Sequence, residues 1–117
     1  MKGVWYLTIA GDLIRGHTDA IILAHLVKGD SYGYEINRDI QKKSQGRYEF
    51  KEATLYTAVR RLEQCGCITS YWGDESTGAR RRYYAITELG RETYKTLVRD
   101  WENARALINK LIYVEGV

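Results

Sequence analysis

Proline is absent from this chain, cysteine occurs twice, and no apolar run approaches the roughly 18 residues that a membrane span requires. Without proline, glycine and short polar clusters must end the helices and turn the strands. Cys65 and Cys67, separated by one residue, are too few and too close for a disulfide framework, so a reducing cytoplasm is the expected location. The segment from Met1 to Asp12 holds Trp5, Tyr6, Leu7 and Ile9 but no small-residue cleavage site, which argues against a secretory leader. There is no internal repeat, low-complexity tract or linker. His17 and His25 lie eight residues apart with no cluster of cysteine, histidine or carboxylate at metal-ligand spacing around them. The Cys65-x-Cys67 pair supplies at most two ligands and reads as a packing pair, with a redox sensor as the alternative. Neither a phosphate-binding glycine loop nor a nucleophile motif is present. Catalysis is therefore disfavoured, and no cofactor, metal or membrane is expected.

What is present is ordered by periodicity. Across 117 residues, enough for one domain with a modest core, Ile21, Ile22, Leu23, Leu26 and Val27 place a helix over Thr18 to Lys28. Ile9, Leu13 and Ile14 allow it to begin earlier, against Gly11 and Gly16. Ser31 is the expected cap of a second helix that turns Ile36 and Ile40 inward and ends near Ser44-Gln45-Gly46. A third helix is expected from about Glu52 to Cys65, with Leu55, Val59 and Leu62 on one face and Gly66 as its stop. The period then changes to two. Ile68 to Trp72 and Arg80 to Ile86 read as strands joined by the polar loop Gly73 to Ala79. Thr87 caps a last helix with Glu88 in its first turn. On that helix Tyr94, Leu97, Trp101, Ala104, Ile108 and Leu111 form a heptad seam, with charged residues on the other faces. From Thr87 to Ile112 it would span about 39 Å, more than a small helical head can cover. A second copy of the chain is the natural partner of that seam.

Three helices, a two-stranded hairpin and a further helix are the order of a winged helix-turn-helix, in which the third helix enters the major groove. The expected fold is mainly α (α+β): residues 1–86 form a winged helix-turn-helix DNA-binding domain including the N-terminal helix, and residues 87–117 form a C-terminal dimerisation helix, all in one compact unit. The net charge of +3 is too small to argue for nucleic acid by itself, but Arg60-Arg61 and Arg80-Arg81-Arg82 are clustered. On the face of the third helix opposite Leu55, Val59 and Leu62 stand Ala53, Thr57, Arg60, Arg61 and Gln64, flanked by Thr54 and Tyr56. That face either meets phosphates and base edges or is merely solvated. In the second strand, alternation sends Arg81 to one side and Arg80 and Arg82 to the other, with at least one supporting the wing. Tyr83 and Tyr84 likewise divide between core and surface.

Tyr32-Gly33-Tyr34-Glu35-Ile36, Ala53-Thr54-Leu55-Tyr56, Arg61-Leu62-Glu63, Arg81-Arg82-Tyr83-Tyr84 and Ile86-Thr87-Glu88-Leu89-Gly90-Arg91 together resemble the PadR family of bacterial transcriptional regulators. Glu52 to Thr57 and Ser70 to Ser76 are similar to the short subfamily's multidrug-sensing repressors. The resemblance runs from about Leu13 to Leu111. It implies a homodimer on a palindromic operator, with a flat-walled pore at the dimer centre where planar aromatic compounds bind. The candidate DNA contacts are Tyr34, Thr54, Tyr56, Thr57, Arg60, Arg61, Arg80, Arg81 and Arg82. Trp101 matches the central tryptophan that stacks against ligand. Leu13, Gly16, Asp19, Ala20 and Leu23 match pore-side positions of the first helix, and Thr93, Leu97, Val98, Arg105 and Ile108 those of the last. The chain departs from the pattern at Arg105, where an acidic residue is expected, at Lys51, where a capping Ser, Thr or Asn is usual, and at Thr57, where proline is often found.

The expectation is thus a cytoplasmic, ligand-responsive repressor whose partners are double-stranded DNA, a second copy of itself and planar aromatic small molecules. The alternative is a winged-helix module that binds proteins and no effector. The arginine-flanked wing and the hydroxyl-rich third helix favour DNA.

Overall fold

The 3.6-residue spacing of the apolar side chains produces helices where the sequence predicts them. A computed structural model of the chain describes residues 11–74 and 80–117. Trp5, Tyr6, Leu7 and Ile9 and most of the hairpin loop therefore lie outside the described residues. Residues 11–14 are helical and run into a 3-10 turn at Arg15–His17 before helix α1, Thr18–Val27. Helix α2 spans Gly33–Lys43 and α3 spans Glu52–Gln64. Strands β1, Ile68–Trp72, and β2, Arg82–Ile86, make the wing, and α4, Glu88–Ile112, follows.

The core is where the three short helices meet the base of the wing. Ile22, Leu23 and Leu26 from α1, Ile36 and Ile40 from α2, and Leu55, Ala58, Val59 and Leu62 from α3 pack together. Phe50, Cys67, Ile68 and Tyr84 close the cluster from the connecting segments and strands. The strands pair antiparallel from Ile68↔Ile86 to Trp72↔Arg82. The second strand starts at Arg82 rather than Arg80: beyond the last pair, Gly73 N donates to Arg81 O at 2.7 Å and the ladder gives way to the turn.

Two connections set the angle of α3. Asn37 Nδ2 donates to Phe50 O, and Phe50 N donates back to Asn37 Oδ1, both at 2.8 Å, which pins the segment just before α3 to α2. At its other end, Gly66 takes a φ of +82°, with Gly66 N bonded to Glu63 O and Cys67 N to Leu62 O. This pair of bonds ends the helix and needs the left-handed conformation that glycine adopts without penalty. It leaves Cys65 exposed and Cys67 buried, so the two cysteines do not pack as a pair.

Ser31 is not the cap of α2. Tyr32 holds the N-cap position with no side-chain bond. Ser31 is drawn inward instead, because its backbone pairs with Tyr84 (Ser31 N to Tyr84 O at 3.1 Å, Tyr84 N to Ser31 O at 2.7 Å). Its buried hydroxyl lies 2.9 Å from His25 Nε2 and donates to Glu35 at 2.5 Å. His25 Nδ1 lies 3.0 Å from Asp39, and the hydrogen bond from His25 holds the Asp39 carboxyl below the usual carboxylate range. One polar chain thus joins α1, α2 and the edge of the wing.

Lys51 precedes α3 without a side-chain cap bond, as the sequence predicts. Thr87 does cap α4: its hydroxyl oxygen accepts from Gly90 N at 3.0 Å while its hydrogen goes to Gly66 O at 2.6 Å. The cap therefore also ties α4 to the end of α3. The first turns of α4 rest on the buried core of the head through Gly90, Tyr94 and Leu97. The remainder carries Trp101, Leu107, Ile108, Leu111 and Ile112 with between 41% and 72% of their surface exposed.

Candidate nucleic-acid interface and interhelical cavity

Burying Leu55, Val59 and Leu62 rotates the opposite face of α3 outward. Ala53, Thr54, Tyr56, Thr57, Arg60, Arg61 and Gln64 are all exposed on it. Tyr34 of α2 is exposed beside them, at 72%. The two arginines differ. Arg60 forms no ion pair among the described residues, whereas an Arg61 guanidinium nitrogen is bonded to Asp19 of α1. Arg61 thus joins the third helix to the first, and its charge is already opposed.

The wing arginines divide as the alternation predicts. Arg80 and Arg82 lie over the Trp72 ring, at 5.5 and 5.4 Å from its centroid, and Arg81 lies over Tyr32 at 4.8 Å. Arg82 is also 3.8 Å from Glu63, so it is the one that braces the wing against α3. Tyr84 is buried in the core. Tyr83 is half-buried, stacked on Tyr71 with ring centroids 5.6 Å apart. Tyr71 in turn donates its hydroxyl to Asp30 at 2.6 Å, which pushes its phenol pKa up.

A cavity of about 710 Å³ opens between α1, α3 and α4. It brings together five of the residues matched to a pore: Gly16, Asp19, Ala20, Leu97 and Trp101. The Trp101 indole is met edge-on by His17, with centroids 4.8 Å apart and planes at 73°. Leu23 is wholly buried in the core of the single chain and does not line this cavity. Leu13, Val98, Arg105 and Ile108 lie on exposed surface outside the cavity of a single chain, and Arg105 is paired with Glu102 at 2.5 Å. Thr93 is half-buried and accepts from Cys67 Sγ at 3.5 Å.

Sequence reasoning missed what closes the cavity. Thr54, Thr57 and Arg61, expected to meet DNA, also line it, as do His17 and Asp100. A helical wheel could have placed Thr54, Thr57 and Arg61 on one side of α3, but not α1 and α4 across from that side. Asp100 forms no ion pair among the described residues, while Asp19 is opposed by Arg61 and Asp12 by Arg15 at 3.0 Å. Among the described residues no group of three or more His, Cys, Asp or Glu side chains is arranged to hold a metal, and no helix is long and apolar enough to cross a membrane.

Comparison with known proteins agrees with this architecture. The profile of the transcriptional regulator PadR-like family matches residues 22–96. A protein of Lysinibacillus sphaericus, itself uncharacterised, is 40% identical over 109 residues, which cover 93% of this chain and 98% of that one. The structure of a transcriptional regulator from Clostridium thermocellum superposes with a TM-score of 0.80 at 48% identity, over 87% of this chain and 96% of that one. A PadR family transcription regulator from Clostridium difficile does so with a TM-score of 0.71 at 32% identity, over 83% and 99%. With the three-helix head, the wing and the long last helix in the order these proteins share, the chain belongs to the PadR-like family and is a DNA-binding transcriptional regulator rather than an enzyme.

Proposed function

We propose that two copies of this chain pair through α4 and repress transcription by occupying a palindromic operator, with α3 in the major groove and the wing on the backbone. The observation that carries this is the exposed face of α3, rich in hydroxyls and guanidiniums, flanked by Arg80 and Arg81 of the wing. A two-fold dimer presents two such faces, which is what a palindrome requires. Arg60, with no ion pair among the described residues, is the residue best placed to neutralise a phosphate or read a guanine edge. Operator affinity is expected to fall linearly on a log–log plot against salt, with a slope near −0.9 per phosphate neutralised. Replacing Arg60 and Arg61 together by Ala is expected to abolish operator binding in a gel shift and leave the circular dichroism unchanged. Parental affinity in that variant would show that α3 is not the recognition helix.

The cavity walled by Trp101 is the proposed effector site, and planar aromatic compounds are its ligands. Its volume suits a drug-sized guest, and the indole offers a flat apolar face. Asp100, which forms no ion pair among the described residues, favours neutral or weakly cationic rings. Because Thr54, Thr57 and Arg61 of α3 form part of the same wall, a guest touches side chains that DNA also needs, and the two bind in competition. In a variant carrying Trp5→Phe and Trp72→Phe, aromatic ligands are expected to quench Trp101. Trp101→Ala is expected to weaken them by about one to two orders of magnitude, from stacking worth roughly 0.5–1.5 kcal/mol per ring pair at two indoles. A panel of aromatic dyes that neither quenches Trp101 nor loses affinity in Trp101→Ala would rule out this site.

A further inference from the structure

The two adjacent arginines of α3 serve different faces, because one residue along a helix turns a side chain by about 100°. Arg60 stands on the exposed face and takes no part in the Trp101 cavity, whereas Arg61 lines that cavity one turn beyond Thr57. Across the opening, Asp19 sits in the first turn of α1, where the unpaired amides of the helix N-terminus favour a negative charge. It holds an Arg61 guanidinium nitrogen. Of the other lining groups, Arg15 is paired with Asp12, and Asp100 forms no ion pair among the described residues. Asp19 and Arg61 are therefore each other's only ionic partner among the described residues. Their side chains keep 35% and 49% of their surface in solvent, and exposed pairs of this kind are weak enough to exchange partners.

A guanidinium is permanently charged, so Arg61 exchanges one anion for another and never gives up its charge. A duplex lying against α3 brings a phosphate about every 1.7 Å along its axis and competes with Asp19 for that guanidinium. We propose that Asp19 is a positioning residue for DNA binding: it draws Arg61 to the cavity side of α3, and the operator gains this arginine only when the ion pair opens. The pair acts as a brake on operator affinity. With α3 as the recognition helix, on which this proposal rests, Asp19 sets affinity from α1, outside the DNA-facing surface. A purely structural brace would act in the opposite direction, because its removal would loosen α3 and weaken binding.

The test uses the duplex that the parent chain selects from a random-sequence library, bound at several salt concentrations. Asp19→Asn keeps the size of the side chain and removes its charge. It is expected to tighten binding by about three- to thirtyfold at low salt, with one pair opened in each chain of the proposed dimer. The gain should shrink as salt rises, because salt screens the pair that the parent must open. Asp19→Glu, which restores the carboxylate, should bring affinity back towards the parent value. In an Arg61→Gln background the change at Asp19 should alter affinity by less than about twofold, since the group it restrains is gone. The melting of Asp19→Asn should match the parent, as an exposed pair contributes little to stability. Arg60→Ala, measured alongside, reports on α3 itself: parental affinity in that variant would remove α3 from the groove and this proposal with it. Weakened binding by Arg60→Ala with no tightening by Asp19→Asn would overturn the role of Asp19 alone, as would equal tightening in the Arg61→Gln background.

Discussion

Ile108→Asp is expected to turn the proposed dimer into a folded monomer. Ile108 sits on α4 beyond the last contact with the head and is 47% exposed in the single chain, so the change removes nothing from the core. In a dimer built on the heptad seam it would instead bury a carboxylate from each copy in an apolar interface. At roughly 1–3 kcal/mol for each poorly compensated polar group, the two copies cost about 2–6 kcal/mol. This corresponds to roughly one and a half to four orders of magnitude in the dimer dissociation constant. Sedimentation of the variant at micromolar concentration should give the mass of one chain with native helicity. Leu97→Asp, by contrast, should lower helicity as well, because Leu97 packs against the buried cluster of its own head. A stable dimer for Ile108→Asp would remove the seam from the interface.

Gly90→Ala should be the most damaging small substitution in the chain. Gly90 is buried in the first turn of α4, and a Cβ built there would collide with the carbonyl group of Cys67 and the side chain of Ile86. Backbone cannot swing aside as the end of a flexible side chain can. The start of α4 would have to move, breaking the bonds by which Thr87 caps α4 and holds the end of α3. Overpacking of roughly 1–3 kcal/mol and a lost cap of about 1 kcal/mol add to some 3 kcal/mol, against a total stability of about 5–15 kcal/mol. At roughly 4–8 °C per kcal/mol, the midpoint should fall by at least about 12 °C. Gly16→Ala provides the contrast, because nothing lies within 4 Å of its added Cβ. Its midpoint should stay close to that of the parent, and equal melting of the Gly90 and Gly16 variants would show that the α4 start has room to spare.

Much of this protein is legible from local pattern. The change of period after Cys65, the apolar triads of α2 and α3, Gly66 as a stop and Thr87 as a cap each depend on residues within a few positions of one another. Those rules hold without knowledge of what packs where. The motif fragments carried the family for the same reason, since each surrounds one turn, cap or helix start. Residues misread from the sequence are those whose partners are distant. Ser31 has the chemistry of a cap, but its backbone pairs with Tyr84, 53 positions on, and that bond draws its hydroxyl to His25. Likewise the two cysteines sit one residue apart, but the turn at Gly66 leaves Cys65 exposed and buries Cys67.

The sequence by itself determined the elements, their order, the winged-helix class and the exposed faces of α3 and α4, because periodicity and capping are properties of neighbouring residues. Tertiary structure alone decided which exposed residues share a site. It brought Asp19 to Arg61 across 42 positions, set His17 edge-on to Trp101, and gave one flank of α3 to the cavity beneath α4 and the other to a cleft beside the wing. Helix crossing angles follow from how side chains of different helices interdigitate, and no local pattern encodes them.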